Sequence, residues 1–229
     1  MKTSKQLLLV LLFTLICISC NENQNNLIQE NVKTKFNALS GSYLGQETPG
    51  IEPQIFAPHI ISTGYDEACI SINSNTKEIF YSIGGKPQSV ILYTKEANGK
   101  WTSPIVVPFS GKYGADFQLS PNGDKIYYTS GAPINETGPR LDKWNIWVSN
   151  YKDGQWSKGT PLKGILNSNK FTIAYPSTTY EETLYFFSAE FPGLNGNGGI
   201  LRSKLINGEY KEIEIMKDLN SNEYWDIDP

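Results

Sequence analysis

The chain has 229 residues, with 20 Lys and Arg against 23 Asp and Glu and a formal net charge of −3. Without Lys2 and Lys5, which precede an apolar leader, 18 basic residues face 23 acidic ones, a net of −5 with no basic run. Such a chain has no electrostatic footprint for a phosphate backbone, so no nucleic-acid partner is expected.

The leader comes first. Two lysines in "MKTSK" precede "QLLLVLLFTLICIS", an apolar stretch of signal-peptide length. It is shorter than the roughly 20 residues a membrane-spanning helix requires. It ends in "CISC", where Cys20 follows the small residue Ser19. This resembles a bacterial lipobox, with Cys17 in the place usually taken by leucine. The resemblance implies cleavage after residue 19, lipid on Cys20, and "NENQNNLIQEN" as the start of a flexible tether over residues 20–42. Two or three acyl chains suffice for stable anchoring, so the membrane is an expected partner and the cell envelope the expected location. An ordinary secretory signal is the alternative. Beyond Cys20 only Cys69 remains, in an apolar run, and it is expected to be a small core residue.

Residues 43–64 form a lead-in, and then a pattern repeats. "NGKW", "DGQW" and "NGEY" place an aromatic residue at 101, 156 and 210, after an Asn-Gly or Asp-Gly pair. Such pairs between apolar runs signal type I′ hairpins, because both central residues need positive φ. Before each turn lies a strand-like run ("SVILYTKEA", "NIWVSNYK", "GILRSKLI"), and before that an aromatic pair leading to a small hydroxyl residue ("KEIFYSI", "DKIYYTS", "ETLYFFS"). A further run precedes each of these. After the turn, "WTSPIVVP" and "WSKGTPL" carry prolines that confine them to a sheet edge. Four antiparallel strands repeated at this period predict an all-β chain, a β-propeller of four-stranded blades at about 65–112, 113–170 and 171–223. Each Trp or Tyr is expected between neighbouring blades.

"LSPNGDKIYYTS" and "NIWVSNYKDGQWSKGTPL" resemble the two halves of the TolB-type propeller repeat, and the resemblance extends over residues 43–229. The first unit departs from it with "INSNTKE" and the third with "STTYEE". It implies periplasmic or outer-membrane protein partners, and a ring of typically six blades. "LNSNEYWDIDP" at 219–229 is then the start of a fourth blade, three blades make an incomplete ring, and a C-terminally truncated copy is expected. Ring closure by self-association is the alternative. The resemblance also implies that the lead-in strand would complete a last blade, for which this chain offers no partner.

Catalytic and cofactor signatures are missing. His59 is the single histidine, no nucleophile or phosphate-loop pattern accompanies it, and no cofactor or metal is expected. "GLNGNGG" at 193–199 is expected to be a loop, and Asn135 heads a glycosylation triplet with no expected use. In a propeller the first residues of the innermost strands face the channel mouth. By the repeat these are Glu67 or Ala68, then Asp116, Ala174 and Asp228, so Glu67, Asp116 and Asp228 are candidates to bind a cation, sugar or amine, the alternative being that each caps a turn or bonds to a neighbouring blade's backbone. In the second unit the insertion "GAPINETGPRLDKW" offers Arg140 and Trp144 as contact residues. The expected function is a non-catalytic binding or scaffold module in the cell envelope, with a protein or glycan partner. The alternative is a carbohydrate-active enzyme, a glycosidase or lyase using Glu67 and Asp116 as paired carboxylates.

Overall fold

The computed structural model describes residues 39–85, 89–111, 114–134, 138–167, 170–194, 198–221, 226, 227 and 229. Cys20, Asp228 and Asn135 lie outside these residues. The described chain is nearly all β, in antiparallel sheets, with two short 3-10 turns.

The first sheet holds β1 (Asp66–Asn73), β2 (Glu78–Gly84), β3 (Val90–Ala97), β4 (Lys100–Trp101) and β5 (Ile105–Val106). The second holds β6 (Gly114–Leu119), β7 (Lys125–Ser130), β8 (Asn145–Lys152), β9 (Gln155–Trp156) and β10 (Thr160–Pro161). The third is ordered β11 (Ala174–Thr178), β12 (Leu184–Ser188), β13 (Gly199–Ser203) and β16 (Glu214–Ile215). A separate ladder joins β14 (Leu205–Ile206) to β15 (Glu209–Tyr210).

The repeating turns form for a local reason. Asn98–Gly99, Asp153–Gly154 and Asn207–Gly208 all have positive φ at both positions, as a type I′ hairpin demands. The outer strand after each hairpin is broken and brief. Pro161 lies within β10 at the sheet edge, where a missing N–H costs no ladder bond. After the break the chain rejoins its sheet in the same way three times: Val107 donates to Ile91, Leu162 to Ile146 and Met216 to Ile200, at 2.9, 3.1 and 3.1 Å.

Alternation along the strands sends apolar side chains to both faces of the sheets, and the core lies in layers between them. Phe80 and Ile91 meet Phe117, Leu119 and Tyr128 between the first and second sheets. Tyr127 and Ile146 meet Ile173, Leu184, Phe186 and Tyr210 between the second and third. Each such side chain contributes about 1.5–3 kcal/mol through burial.

The lead-in packs on the first sheet: Leu44, Ala57 and Ile61 lie against Ile79, Tyr81, Leu92 and Trp101. Trp101 anchors it, donating its backbone N–H to Leu39 and its indole N–H to Gly41, both at 2.8 Å. Gln46 braces it by donating to the Ile55 carbonyl and accepting from the Ala57 N–H. The strap thus imitates an inter-sheet connection. Tyr81 donates its hydroxyl to Ile60 in the strap, as Tyr128 donates to Phe109 in the link between sheets.

Candidate functional site

β1, β6 and β11 each pair with one strand only and form the inner edges of their sheets. Each carries one extra residue beside an alanine. The register of β1 shifts between Ala68 and Ile70, that of β6 between Ala115 and Phe117, and that of β11 between Ala174 and Ser177. The equivalent bulged residues are Cys69, Asp116 and Tyr175. Bulges re-aim a side chain and commonly stand beside binding sites. Cys69 and Tyr175 have φ of 38° and 52°, a region that costs an L-residue energy.

These three side chains are half-buried at equivalent positions on the inner edges. The Cys69 thiol stands 3.9 Å from a carboxylate oxygen of Asp116, donating across the first inter-sheet junction. The Tyr175 ring stands edge-on to Phe187, centroids 6.0 Å apart. A carboxylate, a thiol and a phenol offer acceptors and weak donors suited to hydroxyl or amine groups.

The structure corrects the equivalence expected for Glu67. The strand register aligns Asp116 with Cys69, two residues further along β1. Glu67 instead closes the turn before β1, accepting from the backbone N–H groups of Thr63 (2.9 Å) and Tyr65 (3.2 Å) and from the Thr63 hydroxyl. Desolvation pushes its pKa up, but these hydrogen bonds outweigh it and hold the carboxyl below its ordinary value. Burial first, and the Glu67 charge second, push the Tyr81 phenol up. Cys69 itself is half-buried against the first junction rather than enclosed in the core.

The second-sheet insertion is tied to the third sheet. Lys143 donates to Glu190 at 2.6 Å, and the second Glu190 oxygen accepts from the Thr172 N–H at 3.0 Å. These bonds, the Lys143 one foremost, hold the Glu190 carboxyl below its usual range. Trp144 is half-buried, and its carbonyl accepts from the Ile173 N–H. Arg140 is exposed, with its Nε 3.2 Å from where a Cβ on Gly131 would lie. His59 is an exposed turn residue with φ of 67°. Among the described residues no three His, Cys, Asp or Glu side chains are grouped to hold a metal ion. No described helix is long and apolar enough to cross a membrane.

Cys69 and Tyr175 were missed as site residues by sequence reasoning. The signal that marks them is the alanine before each, in "ACI", "ADF" and "AYP".

No family model matches the chain, and no curated protein matches it. Among solved structures it resembles a puromycin-hydrolyzing peptidase of Mycobacterium tuberculosis, with a TM-score of 0.42 and 18% identity. The likeness covers 70% of this chain and 24% of the peptidase chain, so the region compared is about a quarter of that protein. A similarity of this size assigns neither family nor activity.

Proposed function

We propose that this chain is an arc of a TolB-like β-propeller, lipid-anchored to the cell envelope through Cys20, and that it acts as a non-catalytic binding module. The observation that carries the reading is the threefold recurrence of an inner-edge bulge at Cys69, Asp116 and Tyr175. A repeated bulge that adds nothing to ladder pairing, and that carries left-handed backbone at Cys69 and Tyr175, is best explained by what its side chains meet. The ligand class is a glycan or a protein surface offering hydroxyl or amine groups. The glycosidase reading draws no support from Glu67, whose carboxylate is engaged by Thr63 and Tyr65.

Calorimetric titration with soluble glycans and lysine-bearing peptides tests this. Binding that disappears in Asp116→Asn, with the melting curve unchanged, supports the site. Cleavage of any glycan during the titration overturns the non-catalytic reading. Labelling with radioactive palmitate tests the anchor, since label should enter the chain and be lost in Cys20→Ala.

A further inference from the structure

The junction between the first and second sheets carries a second cluster of polar and aromatic side chains, at the other end of the β1–β2 ladder from the bulge. Glu78 pairs there with Asn73, whereas the bulge lies beside Ala68 and Ser82. The Glu78 side chain is buried, and one of its oxygens accepts both the Trp156 indole N–H and the Thr76 hydroxyl. The other oxygen accepts no bond among the described residues. No Lys or Arg forms an ion pair with Glu78 among the described residues, its cross-strand neighbour Lys95 included. A buried carboxylate is costly to the fold unless a cation offsets its charge.

Rings surround this carboxylate. Tyr93 stacks on Phe80, with centroids 5.7 Å and planes 16° apart. Trp156 stands edge-on to Phe80 at 5.6 Å, and Tyr151 leans on Trp156 at 5.1 Å. Burial first, then the charges of Glu78 and Tyr151, push the Tyr93 phenol up, which sets that phenol within electrostatic reach of both. Phe80 is buried, but Tyr93, Tyr151 and Trp156 are half-buried and turn part of their surface to solvent. Ring faces of this kind attract organic cations, and a carboxylate behind them adds to the attraction.

The second junction fills the same positions differently. Lys125 opens β7 as Glu78 opens β2, and it donates to Glu182 in the turn between β11 and β12. Tyr127 and Tyr210 take the places of Phe80 and Trp156, and their hydroxyls donate to the Glu182 carboxylate and carbonyl. Val148 and Leu205 stand where the first junction has Tyr93 and Tyr151, by the same cross-strand pairings. The second junction thus holds an ammonium of its own against a carboxylate and two phenols. In the first, the sign of the charge is reversed and the aliphatic positions are aromatic.

We propose that the first junction binds an alkylammonium group, seated on the Tyr93, Tyr151 and Trp156 rings with the Glu78 carboxylate behind them. A bare metal ion fits this place poorly. Hard cations take about six to eight oxygen ligands, and no three His, Cys, Asp or Glu side chains are grouped among the described residues. A lysine side chain and a quaternary amine both present the required chemistry, a positive charge on an apolar stem. This site is separate from the inner-edge bulges and does not rest on the function proposed for them.

Titration of the full chain in non-ionic detergent with butylammonium and tetramethylammonium chlorides tests this, followed by tryptophan fluorescence against sodium chloride at equal ionic strength. The expected result is a saturable change with an ammonium salt and none with sodium. Tighter binding of butylammonium assigns the site to a lysine side chain, and tighter binding of tetramethylammonium assigns it to a quaternary amine. Glu78→Gln keeps an acceptor for Trp156 and Thr76 but removes the charge, and should weaken binding about tenfold. Tyr93→Val with Tyr151→Leu, which installs the residues of the second junction, should abolish it. If that pair melts early, Tyr151→Leu alone takes its place. Asp116→Asn should leave the affinity unchanged, which separates this site from the inner edges. An equal response to sodium chloride overturns the proposal, as does binding that Glu78→Gln leaves unchanged.

Discussion

Trp156 donates its indole N–H to a carboxylate oxygen of Glu78, 3.2 Å away across the junction between the first two sheets. Glu78 is 2% exposed, and the same oxygen accepts from the Thr76 hydroxyl at 2.6 Å. The indole also lies against Phe80, Phe109 and Tyr151. The turn raised by the repeated "DGQW" therefore delivers a side chain that joins two sheets through both ring packing and a hydrogen bond.

Replacing that indole separates the two contributions. Trp156→Phe retains an aromatic ring but leaves Glu78 one donor short, and should cost about 1–3 kcal/mol. Trp156→Ala also forfeits the packing and should reach about 3–5 kcal/mol. Urea denaturation of the three proteins measures both differences. Equal losses would mean that the hydrogen bond contributes nothing.

The three units differ in one hydroxyl contact. Thr94 donates to the Thr102 carbonyl and Ser149 to the Ser157 carbonyl, both at 2.7 Å, whereas the buried Ser203 hydroxyl has no partner among the described residues. Ser149→Ala should cost about 1 kcal/mol. Ser203→Ala should be neutral or stabilising, because it removes an unsatisfied buried group. A comparable loss at both sites in chemical denaturation would contradict this.

Gly164 and Gly208 both have positive φ, at 96° and 79°, but differ in space. A Cβ on Gly164 would collide with the Tyr210 backbone, to which Gly164 is bridged, whereas one on Gly208 meets nothing. Gly208→Ala should cost about 1–2 kcal/mol, for backbone conformation alone. Gly164→Ala should cost clearly more and loosen Tyr210, whose phenol burial pushes up to about 12. A spectrophotometric titration that brings a tyrosine down toward 10 in Gly164→Ala would confirm the loosening.

Acid should weaken the strap and the insertion loop first. Glu67 and Glu190 both have folded pKa values below the ordinary 4.5. The stability they contribute is therefore complete above pH 4.5 and is lost as pH falls through their lowered values. Both are partly exposed, so each contributes about 0.5 kcal/mol or less. Stability measured from pH 6 to pH 3 should fall less steeply in Glu67→Gln and in Glu190→Gln than in the parent. Unchanged slopes would show that these carboxyls are not depressed.

Much of this fold is legible in the sequence because its punctuation is local. Asn98–Gly99, Asp153–Gly154 and Asn207–Gly208 adopt positive φ whatever surrounds them, and alternating apolar residues define the strands between the turns. Pro161 restricts its segment to an edge because it lacks a donor. The site was less legible. Aligning Asp116 with Glu67 matched two acids by type, whereas cross-strand pairing matched Asp116 with Cys69. A bulge depends on which residues face each other across the ladder, and that register is a property of two strands together. Likewise, nothing in the tripeptide around Glu78 marks it as the acceptor for an indole 78 residues away. Turn geometry and strand periodicity follow from each residue's own steric limits, so the sequence alone determined the repeat. The junction partners, the covering of the first sheet by the strap and the exposure of Ile70 and Ile72 depend on which surfaces meet after collapse, so only the tertiary structure decided them.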